Sequence, residues 1–90
     1  MMPLQVIITQ VDRVYAEFGQ PTQHALTTLS VAEATRRLNA GELPTGSMGP
    51  KIEAVIRFLR SGGRRALITN PESLPKAIEG RAGTHFVGGV

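Results

Sequence analysis

Short β-branched runs and helically spaced apolar positions divide this 90-residue chain between them. Leu4-Gln5-Val6-Ile7-Ile8-Thr9 is apolar at most positions and too short for a helix. It predicts a strand over 4–9, buried on both faces as in a parallel sheet. Ala66-Leu67-Ile68-Thr69 and Thr84-His85-Phe86-Val87 predict two more strands, over 66–69 and 84–87, parallel to the first. Helical spacing begins at Ser30, with Glu33 three residues on in the form of a capping box. Val31, Ala34 and Leu38 supply the apolar stripe and Gly41 ends it. Arg36 and Arg37 fall in the last turns, where the helix dipole favours cations. Pro50 suits the first position of a second helix, since its missing N–H costs nothing there. Ile52, Val55, Ile56 and Leu59 form that helix's apolar face, and Ser61-Gly62-Gly63 stops it. Asn70-Pro71-Glu72 opens a short third helix running to about Glu79 through Leu74, Ala77 and Ile78. Pro75 lies in its first turn, and Gly80 caps it.

Residues 10–29 have weak periodicity, with a turn signal at Phe18-Gly19-Gln20-Pro21. Twenty structureless residues would be long for a compact domain, so local structure is expected there, crossing a surface or covering a ligand. The order is strand, long connection, helix, loop, helix, strand, helix, strand. That order predicts an α/β fold: part of a three-layer αβα sandwich with a mainly parallel sheet, helices on both faces and right-handed crossovers. Residues 1–90 read as a single domain without internal repeats.

Composition changes this picture in three ways. The absence of cysteine excludes disulfides and thiolate metal sites. Ten glycines and six prolines imply many turns around the thin core of a short chain, the imbalance that half of a bilobed protein would show. The formal charge is +3, and arginine supplies eight of the ten bases. Arg36-Arg37, Arg57, Arg60 and Arg64-Arg65 are spread over different elements. They read first as a solvated basic face and second as an anion-binding surface. The four aromatics form no stacking pattern, so nucleic acid is not the expected partner. No apolar run is long enough to cross a membrane, and the first residues lack the form of a secretory leader. A cytoplasmic location is the expectation.

Candidate chemistry concentrates in Gly46-Ser47-Met48-Gly49-Pro50-Lys51. Its spacing is not that of a Walker A loop. It nevertheless has the parts of an anion site: glycines that allow close approach, a helix start with free N–H groups, and Lys51 in a first turn where the dipole disfavours a cation. The alternative is an ordinary loop with a solvent-exposed lysine. Asp12 and Glu17 follow the first strand, at the end where α/β proteins bind ligands. Asp12 reads more readily as a turn residue than as a metal ligand. Tyr15 could stack on a base or cap the core. His24 and His85 lie too far apart in sequence to suggest a paired metal site, and Ser47 has no evident base partner.

These residues carry a resemblance. Ala40 to Ala54, centred on Gly-Ser-Met-Gly-Pro-Lys, resembles the glycine-rich signature of the carbamate kinases, which belong to the amino acid kinase superfamily. Ile56-Arg57-Phe58, Arg65 to Thr69 and Ala77 to Thr84 continue it. Ile8 to Tyr15 and Phe18 to Gln23 resemble the family's nucleotide-side strand and loop. Nearly the whole chain is covered, in the family's order.

The resemblance implies an amino acid kinase-like αβα sandwich and equivalence to the carboxyl-terminal, nucleotide-binding part of such an enzyme. The complete enzyme moves a phosphoryl group between ATP and carbamate, with Mg²⁺, giving ADP and carbamoyl phosphate. Lys51 corresponds to the lysine that reaches the nucleotide phosphates and is the expected catalytic residue. Met48, Gly49 and Pro50 shape its pocket, and Thr9, Gln10, Val11, Val14 and Tyr15 match the stretch beside base and ribose. Gln10 stands where many members have aspartate, and no metal ligand is expected on this chain. The family's phosphate loop and carbamate pocket would lie upstream, so the isolated chain is expected to be inactive. A homo-oligomer, or a separate amino-terminal half, is the expected partner. The alternative is a non-catalytic α/β module for interaction or oligomerisation.

Overall fold

The computed structural model describes residues 4–17, 19–44, 46 and 48–88. The Phe18 turn signal and Ser47 therefore fall partly or wholly outside the described residues. Six strands and three helices follow in the order β1 (Leu4–Ile8), β2 (Tyr15–Ala16), β3 (His24–Ala25), β4 (Thr28–Ser30), α1 (Val31–Asn39), α2 (Met48–Arg60), β5 (Arg65–Thr69), α3 (Leu74–Ile78) and β6 (Thr84–Val87).

The main sheet runs β1-β5-β6-β4. β1 pairs with β5 in parallel, Val6 opposite Leu67, and β4 pairs with β6 in parallel, Leu29 opposite Phe86. The α/β fold with a mostly parallel sheet stands. β6 corrects one detail, because it runs antiparallel to β5 rather than parallel. The reason is the reach of the helix. A parallel crossover must carry the chain back along the whole strand, roughly 16 Å for the five residues of β5. The five-residue α3 rises only about 7.5 Å, so the chain reverses instead.

β4 was not legible as a strand. It has three residues, only Leu29 is buried, and Ser30 passes directly into the cap of α1. There the Ser30 Oγ accepts the Glu33 N–H at 3.1 Å, as the capping box predicted, while the Glu33 carboxylate pairs with Arg37. The end of α1 is a Schellman motif. Glu42 N–H donates to Arg37 O and Gly41 N–H to Leu38 O, with Gly41 at a φ of 76° that disfavours a side chain.

α2 begins at Met48, two residues before the expected start. Pro50 is thus its third residue, still within the turn whose N–H groups have no partner inside the helix. Met48, Ile52, Val55, Ile56 and Leu59 are buried and pack with Ala66, Ile68, Phe86, Leu29 and Ala34. Each fully buried aliphatic side chain contributes about 1.5–3 kcal/mol. α1 and α2 therefore cover one face. Strand alternation turns Leu67 to the other, where α3 lies with Ala77 buried. Gly83 approaches there so closely that a Cβ would come within 2.7 Å of Leu67 Cδ1. α3 covers only part of this second face. Val6, Ile8 and Ile78 remain 39%, 44% and 56% exposed.

Candidate functional site

β1 ends at Ile8, and Thr9 extends its ladder by one bond, donating N–H to Thr69 O at 2.8 Å. The chain then leaves the carboxyl end of the parallel pair, the position at which open α/β sheets leave a crevice. It returns as a two-stranded hairpin, Tyr15 opposite Ala25. Thr84 locks this hairpin to the sheet. Its buried hydroxyl accepts the Val14 N–H at 2.8 Å and donates to Leu26 O at 2.6 Å. The 10–29 connection thus does hold local structure, and its first half forms one wall of a cavity.

That cavity has a volume of about 700 Å³. Ile8 to Val11 form its floor, Arg13 to Tyr15 one wall, and Pro44, Met48 and Lys51 the other. Thr9, Gln10, Val11, Val14, Tyr15, Met48 and Lys51, seven of the nine residues singled out from sequence, meet here although some 35 residues separate the two groups. Gly49 and Pro50 lie on α2 but do not line the cavity: Gly49 is buried and Pro50 exposed. A Cβ on Gly49 would sit 3.9 Å from Pro44 O, an ordinary contact, so packing against the protein itself does not require glycine there.

Lys51 Nζ donates to Thr9 Oγ1 at 3.1 Å, joining the first turn of α2 to the end of β1. The amino end of α2, whose first N–H groups have no partner inside the helix, contributes Met48 and Lys51 to the same cavity. Arg13 is the site residue that sequence reading missed. Its Nε donates to Gly83 O at 3.2 Å, which holds the guanidinium at the wall. The available signal was a lone arginine in the stretch that follows β1. Tyr15 OH donates to Asp12 Oδ1 at 3.3 Å. The Asp12 charge, then burial and this hydrogen bond, raise the phenol above its ordinary value near 10.0, with Arg13 opposing.

None of the chain's seven carboxylates lines the cavity. Among the described residues no three histidine or acidic side chains cluster as a metal site. His24 and His85 hydrogen-bond to the backbone carbonyls of Thr22 and Ala82 respectively. The donor set suits an anion with apolar and aromatic surface, and does not suit a bound Mg²⁺, which requires hard anionic oxygens. No helix among the described residues is long and apolar enough to cross a membrane.

The family model for the amino acid kinase family matches residues 4–70, from β1 through β5. The chain belongs to that family. Among its relatives is a carbamate kinase-like protein, YahI, of Escherichia coli, 46% identical over 82 residues, covering 91% of this chain and 26% of that one. The carbamate kinase of Halobacterium salinarum is 48% identical, covering 91% and 27%. The solved carbamate kinase of Giardia lamblia bound to AMP-PNP superimposes with a TM-score of 0.89 at 26% identity, over 97% of this chain and 28% of that one. The chain thus spans about a quarter of the length of the relatives it matches. The residues that line the cavity, Ile8 to Lys51, lie within the matched span.

Proposed function

We propose that this chain is the nucleotide-binding part of a carbamate kinase-like phosphotransferase, equivalent as one domain to the carboxyl-terminal region of such an enzyme. The observation that carries the reading is the Lys51–Thr9 contact, which sets a charged ammonium inside a cavity lined by Gln10, Val11, Val14, Tyr15 and Met48. In this reading Lys51 contacts the phosphates of ATP or ADP and is the catalytic residue. Gln10, Val11, Val14 and Tyr15 line the base and ribose. Gly49 and Pro50 shape the start of α2. The complete enzyme would convert ATP and carbamate to ADP and carbamoyl phosphate in the cytoplasm. Any Mg²⁺ would depend on oxygens outside this cavity. Phosphoryl transfer needs charge clamped from several sides, and one side is present here. The remainder would come from a separate amino-terminal half or from the rest of a homo-oligomer.

Heteronuclear shift mapping with ADP tests the reading. Shifts should centre on residues 9–15 and 46–53, and Lys51→Ala should weaken binding by about 1–2 kcal/mol through loss of one charge-assisted contact. Identical titrations for parent and variant would overturn it. A coupled assay should show no ATP formed from ADP and carbamoyl phosphate by the chain alone.

A second reading, a non-catalytic interaction module, is favoured by one observation: the exposure of Val6, Ile8 and Ile78 on the face opposite α1 and α2. That surface adjoins the nucleotide site at Ile8, which also lines the cavity.

A further inference from the structure

The charges of the cavity specify more than a nucleotide; they bear on its ionic form, an inference that rests on the nucleotide reading above. The two charged residues of its lining, Lys51 and Arg13, are both cations. Each is held by neutral oxygens. Lys51 Nζ lies against Thr9 Oγ1, and Arg13 donates from Nε to Gly83 O and from Nη2 to Arg81 O, at 3.2 and 3.5 Å. Among the described residues neither pairs with a carboxylate. Glu33 and Glu42 pair with Arg37, and Glu79 pairs with Arg81. Asp12, next to Arg13 in sequence, accepts from Tyr15. Gln10 contributes a neutral amide.

Mg²⁺ on a diphosphate cancels two of the negative charges that cations would otherwise read, and it seeks further oxygen ligands. This cavity offers Mg²⁺ no carboxylate and confronts it with two positive side chains. We infer that the cavity takes the metal-free form of a nucleoside diphosphate in preference to its Mg²⁺ complex, and that Arg13 is the specificity residue that, beside Lys51, sets this preference. Mg²⁺ therefore acts against binding on this part of the molecule, by withdrawing phosphate charge. The free diphosphate would be the species held between the end of β1 and the start of α2.

The test compares two ADP titrations of the 90-residue chain at matched ionic strength, one with a chelator and one with saturating Mg²⁺, each followed by shifts at Thr9 to Tyr15 and Lys51. Binding should be roughly five- to tenfold tighter without the metal, the scale of one or two partly screened charge contacts. Arg13→Gln should bring the ratio close to unity, and Arg13→Lys should retain most of it. Arg13→Lys keeps a cation at the wall and carries the test if Arg13→Gln fails to fold. Mg²⁺ alone should leave these residues unmoved. Equal or tighter binding of the Mg²⁺ complex would overturn the inference and leave the nucleotide reading standing. The absence of shifts with either form would overturn both. A ratio unchanged in a folded Arg13→Gln chain, or lost in Arg13→Lys, would remove Arg13 from the role.

Discussion

Lys51 occupies a place where the dipole of its own helix works against it, and the Thr9 hydroxyl is its hydrogen-bond partner there. That placement is unfavourable for an isolated chain and favourable beside an anion. At the same wall Asp12 raises the Tyr15 phenol above its ordinary value. Tyr15 is the chain's single tyrosine and there is no tryptophan, so near-ultraviolet phenolate absorbance reports it alone. Asp12→Asn should lower the Tyr15 pKa toward its ordinary value by removing the largest cause of the rise. In the parent the folded state favours the neutral phenol. The associated stabilisation is present below about 10.0 and is lost as the pH rises through the raised value. An unchanged titration curve for the variant would contradict this account of the wall.

Elements differ in how much of them local sequence could specify. α2 combines a continuous apolar face with a glycine stop, so only its start, two residues early, escaped the pattern. α1 has its cap and its Schellman end written in Ser30 and Gly41. β2, β3 and β4 had no such signal, because strands of two or three residues are too short for alternation to register. β4 is placed by its ladder to β6, and the β2–β3 hairpin is tied to the sheet by Thr84, whose hydroxyl bridges Val14 and Leu26. Thr84→Val keeps the shape but leaves a buried donor and acceptor unpaired, and should cost about 1–3 kcal/mol in urea unfolding. It should also displace the Val14 and Tyr15 signals. Loss of stability without change at the cavity wall would mean that the hairpin is held by other contacts.

The whole molecule has one well-covered face and one that α3 covers in part. β1 lies at the sheet edge without a charge along Leu4–Ile8, although edge strands commonly carry charges that discourage pairing. With Val6 and Ile8 exposed beside that edge, the chain is expected to self-associate. Sedimentation velocity should show dimers or larger species that grow with concentration, and the double variant Val6→Lys, Ile8→Lys should sediment as a monomer. A parent chain that remains monomeric across the same range would count against the expectation.

Local pattern was sufficient for the α/β class and for β1, β5 and β6 as strands, and it singled out Met48 and Lys51, which the fold brings to the cavity. These depend on side-chain periodicity, capping and turn geometry over a few residues, which neighbours along the chain determine. Tertiary structure decided the antiparallel course of β6, the docking of the hairpin through Thr84 and the entry of Arg13 into the cavity wall. It also decided that Lys51 meets Thr9. Each depends on pairing between segments some 15 to 70 residues apart, where hydrogen-bond satisfaction and loop length select the partner and no local period records it.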